Sequence, residues 1–208
     1  MKPDKRSLFG TARAKIAAFI MIPFLLLSFF AIHGQDDMNT GIIYGDNHAF
    51  SLTAPEGWVL DNQAGVNQGL YAVFYAKGGS WEKAATVMYV NTASLEDEAH
   101  KTIEQLIKFD IDNFKSNYPD IIVTDEKDIV IKNNVIAKVK YLSGTSYANF
   151  EAMAYIDAGK TGVMIILSSR TKEGFGDALS AFEKLVKSYS FITDNVVIEE
   201  GNPKKGKE

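Results

Sequence analysis

Few residues in this chain carry side chains suited to nucleophilic, acid–base or metal chemistry. There is no cysteine and only three histidines, His33, His48 and His100. A Ser-His-Asp or Cys-His catalytic set has almost nothing to draw on. No two histidines stand at i, i+4 helical spacing, so a zinc site has little support. His48 and Asp46 together offer at most two ligands, and a solvent-exposed or helix-capping histidine accounts for His48 without a metal. Asp110, Asp112, Asp120, Asp125, Glu126 and Asp128 are plentiful carboxylates, but no loop among them follows the calcium-binding pattern. Residues at i, i+2 on a helix point apart, so these acids read as a solvated helix end.

Glu151 and Asp157, six apart on an extended segment, face the same side and are a candidate acid–base pair. Two surface carboxylates on a strand rich in Phe150, Met153 and Tyr155 explain them more simply. Gly174-Phe175-Gly176 lacks the third glycine and the downstream acid of a dinucleotide site and reads as a loosened helix start. Trp81, beside Gly79 and Ser80, is the one large aromatic placed at a loop tip. Folding back over the sheet edge accounts for it more simply, and the alternative is a contact for a partner. The residues thus predict no catalytic set, no cofactor and no metal, and the protein reads as a non-enzyme.

The elements that would hold these residues are legible in part. Residues 49–53 alternate apolar and polar before the turn Ala54-Pro55-Glu56-Gly57, and residues 58–60 begin a second strand. Residues 70–76, 85–91 and 162–167 are nearly continuous apolar runs, as in strands covered on both faces. Asn133-Asn134 separates residues 129–132 from 135–142, and Gly159-Lys160-Thr161 separates 150–158 from 162–167, so two hairpins build an antiparallel meander. A first helix is predicted from a Ser94 cap, with Glu96, Asp97 and Glu98 in its first turn and a stripe of Ile103, Ile107, Phe114 and Tyr118 ending at Pro119. A second is predicted from a Thr171 cap, with Phe175, Leu179, Phe182, Leu185, Val186 and Tyr189 on one face. Doubly covered strands need both helices, which gives an α+β fold: a three-layer α/β/α sandwich around a mainly antiparallel sheet.

The 208 residues divide at one composition break. Lys2, Lys5, Arg6, Arg13 and Lys15 precede an uncharged run over residues 16–32, a basic region followed by an apolar one. Residues 1–34 therefore read as a signal peptide, with an uncleaved membrane anchor as the alternative. Residues 35–48 read as a linker, 49–194 as the domain and 195–208 as a disordered polar tail. The expected location is periplasmic or extracellular, with residues 16–32 as the possible tether to the inner membrane. The residues after position 34 include 17 basic and 25 acidic side chains, a formal charge of −8, which disfavours nucleic acid and anionic lipid surfaces as partners of the body.

The opening Phe50-Ser51-Leu52-Thr53-Ala54-Pro55-Glu56-Gly57-Trp58, an apolar strand pair, a long helix, a hairpin meander and a last helix closing on Ser188-Tyr189-Ser190-Phe191 together resemble the PsbP superfamily, which includes PsbP-like, DcrB-like and Mog-like domains. The resemblance spans residues 49–192. It implies an accessory or partner-binding module and transfers no catalytic residue. The expected role is a non-enzymatic exported protein that presents its sandwich to a protein of the cell envelope. The alternative is a carrier that encloses a small apolar ligand between sheet and helix.

Overall fold

The computed structural model describes residues 39–45, 47–144 and 150–196; the expectations for residues 1–34, His33, Asp46 and the tail beyond residue 196 lie outside the described residues. Eleven strands and two helices follow in the order β1 (Thr40–Gly45), β2 (His48–Thr53), β3 (Trp58–Asp61), β4 (Ala72–Ala76), β5 (Thr86–Ser94), α1 (Ile103–Asn117), β6 (Ile122–Asp125), β7 (Ile129–Val130), β8 (Ile136–Ser143), β9 (Phe150–Asp157), β10 (Thr161–Ser169), α2 (Lys172–Lys187) and β11 (Ser190–Thr193). An eight-stranded sheet runs β3-β4-β5-β10-β9-β8-β6, with β7 also paired to β8, and a separate three-stranded sheet runs β1-β2-β11. Every pairing is antiparallel.

The central strand β10 is buried at all nine positions. Its alternation divides the core in two. Val163, Ile165 and Leu167 join Phe182, Leu185 and Val186 of α2 on one face, together with Phe50 and Leu52 of the small sheet. Met164 and Ile166 join Leu106 and Ile107 of α1 on the other. The observed architecture is the three-layer sandwich that the apolar runs predict.

Both turns form as their residues dictate. Asn133 and Asn134 take φ of 58° and 59° and Gly159 takes 83°, positive angles that Asn and Gly tolerate at least cost. Helix α2 begins where Thr171 accepts a hydrogen bond from the Gly174 backbone N–H at 3.1 Å. Gly174 does not loosen this start. An added Cβ would stand 2.6 Å from Thr86 Oγ1 and 2.9 Å from Ser169 Oγ, so the glycine lets the helix seat against the ends of β5 and β10.

Two boundaries depart from the sequence reading. Helix α1 starts at Ile103 with Thr102 as its cap, not at Ser94, which is the last residue of β5. Thr102 Oγ1 accepts from Gln105 N and Gln105 Oε1 accepts from Lys101 N, a reciprocal cap that outcompetes the single Ser94 signal. Residues 95–101 are instead the bridge that carries the chain from β5 to α1, anchored by the buried Leu95. Residues 40–45, read as linker, form β1, where Ile43 turns inward while Ile42 and Tyr44 face solvent.

Candidate functional site

The outer side of β8 is paired by two short pieces rather than one strand. β6 lies opposite Lys140 to Ser143, and β7 lies opposite Ile136 and Ala137. Between the pieces the chain runs through Glu126, Lys127 and Asp128, held to the sheet by Glu126 N donating to Val139 O at 3.1 Å. A broken, charged edge of this kind resists indiscriminate strand pairing. It also opens a groove of about 550 Å³ against α2.

The floor of this groove is apolar: Ile129, Val139, Tyr141, Leu179 and Phe182 line it. Tyr141 is held edge-on against Phe175 at 5.3 Å between ring centroids, and burial raises its hydroxyl above the ordinary phenol range. The rim is charged and of both signs. Glu183 and Lys187 pair with each other at 2.6 Å, and Asp128 is drawn away to Lys138 at 2.8 Å. Val130 projects from the rim at 60% exposure. An apolar trough with a mixed-charge rim suits an amphipathic segment that lays an apolar edge inward.

A polar pair lies on the opposite face of the sheet, the face whose Met153, Tyr155, Met164 and Ile166 pack with α1. The hairpin register sets Glu151 opposite Ser168, and Ser168 Oγ donates to Glu151 Oε1 at 3.1 Å. Burial pushes the Glu151 carboxyl up, and the Ser168 hydrogen bond only partly opposes it. Tyr89 and Tyr155 are raised beyond the ordinary phenol range chiefly by burial, with Glu151 acting on both. Asp110 is raised by burial too, with Tyr155 and His100 pulling the other way. Asp110 Oδ2 and His100 Nδ1 are buried with no hydrogen-bond partner among the described residues.

Glu151 is therefore not the surface carboxylate that the sequence implies. Glu151 and Asp157 do share a face of β9, but six residues of strand separate them by about 20 Å, beyond the spacing that two carboxyls acting on one bond require. Asp157 instead accepts from Gly159 N at 2.8 Å in the turn. His48 is buried rather than exposed, with its ring against Phe50 and Tyr71 at 5.7 and 5.3 Å. Trp81 is half-buried and packs edge-on against Tyr89 at 6.2 Å, away from the groove. Asp112 pairs with Lys108 and Asp125 with Lys140. Among the described residues no three His, Asp or Glu side chains are placed to hold a metal ion.

The sequence reading missed the groove and the Glu151–Ser168 pair. The register explains the miss of the pair: with Gly159-Lys160-Thr161 taken as the turn, counting back sets residue 152 opposite 168, whereas Thr161 already belongs to β10 and the two-residue turn Gly159-Lys160 sets 151 opposite 168. No such count finds the groove, because its walls come from segments about fifty residues apart in sequence.

Comparison with solved structures gives a fold likeness. The chain is similar to the solution structure of cyanobacterial PsbP from Synechocystis sp. PCC 6803, with 11% identity, 79% of this chain and 99% of that chain covered, and a TM-score of 0.48. No family model matches the chain, and no curated protein does.

Proposed function

We propose that this chain is an exported, non-enzymatic accessory protein that takes a segment of an envelope protein into the groove between α2 and the broken β6–β7 edge. The observation that carries this reading is the groove itself: an apolar floor of Ile129, Val139, Leu179 and Phe182 left open at a sheet margin and rimmed by Glu126, Lys127, Glu183 and Lys187. Export rests on the basic and apolar leader. Among the described residues no helix is long and apolar enough to cross a membrane.

A carrier of an apolar ligand needs enclosed apolar space between sheet and helix. At the α2 interface Phe182, Leu185 and Val186, each at most 2% exposed, fill that position. The groove opens to solvent beside them, which favours a polymer segment over an enclosed small molecule.

Photo-crosslinking in intact cells tests the proposal, with the reactive side chain at Ser180 in the groove and, as comparator, at Asp97 on the β5–α1 bridge. A discrete adduct from Ser180 alone, lost when Val130→Asp is added, is the expected result. Equal adducts from both positions, no adduct from Ser180, or an adduct indifferent to Val130→Asp overturns it.

A further inference from the structure

A second groove, of about 450 Å³, lies where the ends of both hairpins meet the final strand. Its buried floor includes Ile131, Ala158 and Tyr189, at 5%, 6% and 3% exposure. Two carboxylates flank its Gly159 corner. Asp157 Oδ1 accepts from Gly159 N at 2.8 Å, and Asp194 Oδ2 lies 3.5 Å from where a Gly159 Cβ would stand. Neither aspartate enters an ion pair among the described residues. The half-exposed ring of Phe191 borders the same space.

Tyr189 is the second, independent sign of a missing partner. It is 97% buried, taken from its 3% exposure, and its hydroxyl has no hydrogen-bond partner among the described residues. Burial, and then the charge of Asp157, pushes that hydroxyl up to about 12, so it stays protonated and keeps its oxygen lone pairs available to a donor. Buried polar groups normally find partners, and the charge that acts on this hydroxyl is the Asp157 carboxylate, so a donor group seated beside both would satisfy the two acceptors. Lys132 on the hairpin wall leaves the two aspartates in excess.

We infer that this groove receives the guanidinium of an arginine side chain from a partner protein, held by Asp157 and Asp194 and laid along the ring of Phe191. A planar fork of N–H donors fits two carboxylates flanking one glycine better than a point ammonium does, and its face stacks on an aromatic ring. The aliphatic stem of the arginine matches the apolar floor. A body of formal charge −8 draws a cationic segment toward it. This site does not depend on the α2 groove.

The full chain, isotopically labelled and held in neutral detergent, is titrated with N-acetyl-arginine-N-methylamide while the amide signals of Gly159, Ser190 and Asp194 are followed. Saturable shifts confined to these residues, weakened by added salt, are expected. The uncharged citrulline counterpart should produce none. Asp157→Asn with Asp194→Asn, which keeps the acceptor for Gly159 N, should weaken binding at least about tenfold. Tyr189→Phe should weaken it roughly threefold. If the double variant does not fold, Asp194→Asn alone serves, because that carboxylate makes no hydrogen bond among the described residues. Unchanged binding in the asparagine variants, an equal response to citrulline, equally tight binding of the lysine counterpart, or shifts spread across the acidic surface without saturation overturns the inference.

Discussion

Glu151→Gln should stabilise the protein at neutral pH. The carboxyl is 9% exposed and accepts from Ser168 Oγ at 3.1 Å, a contact that the glutamine carbonyl can keep. What the substitution removes is the charge, whose burial raises the Glu151 pKa in the folded state. A raised folded pKa means that the native protein binds the proton more tightly than the unfolded chain does. Stability is then greatest below the unfolded carboxyl range and falls as pH climbs from there through the folded value. Above both values the ionised, buried Glu151 costs about 1–2 kcal/mol relative to a neutral isostere. For a chain of this length that is a rise in Tm of roughly 2–8 °C for Glu151→Gln. Thermal unfolding of both proteins at pH 4 and pH 8 is the assay. The gain should be full at pH 8 and small at pH 4, where wild type is also protonated. A variant less stable than wild type at pH 8, or a gain of the same size at both pH values, refutes the reasoning.

Two further perturbations test how the helices are seated. Gly162→Ala places a Cβ 2.5 Å from Leu106 Cδ2 and 3.3 Å from Ile103 Cδ1, under a helix already packed, and should cost about 1–3 kcal/mol in chemical denaturation. In a Leu106→Ala background the same change should cost much less, since the obstructing atoms are gone, and a penalty unchanged by that background would refute the steric cause. Thr102→Ala removes the acceptor for Gln105 N and should cost about 0.5–2 kcal/mol. Ser94→Ala should leave the stability of α1 itself unchanged, and hydrogen exchange of the first α1 amides separates the two.

What the sequence makes legible is what neighbouring residues decide among themselves. The pair Asn133-Asn134 carries its own preference for positive φ, Thr171 caps the helix that starts at the next residue, and a strand buried on both faces shows as the unbroken apolar run of residues 162–167. Strand β1 had no such local authority. Its Ile42, Ile43 and Tyr44 stand between Gly41 and Gly45, and they become a strand only because β2 supplies the partner and Phe50 beside Tyr189 supplies the core. The start of α1 was obscured by two capping signals eight residues apart, and only the reciprocal bond from Gln105 separates them. Glu151 read as a surface acid because its neighbours along the chain were counted, whereas it lies in a strand paired on both sides, opposite Leu142 and Ser168.

The α2 groove was illegible for a geometric reason that also explains why it exists. Seven strand positions at about 4.8 Å make the main sheet about 29 Å wide, while a helix is about 10 Å across. A single 16-residue helix, about 24 Å long, cannot cover such a face however it is laid. Phe50 and Leu52 of the small sheet complete part of the cover on the α2 side, and the shortfall remains at the β8 margin, where the edge is also broken. A bare margin would be expected to carry polar side chains, since nothing packs there. Instead Val130 stands 60% exposed on the rim, above Ile129, Leu179 and Val139. Val130→Asp therefore separates the two accounts: if the groove is only uncovered sheet, the substitution leaves crosslinking from Ser180 unchanged; if it seats a partner, the adduct is lost while the thermal transition stays where it was.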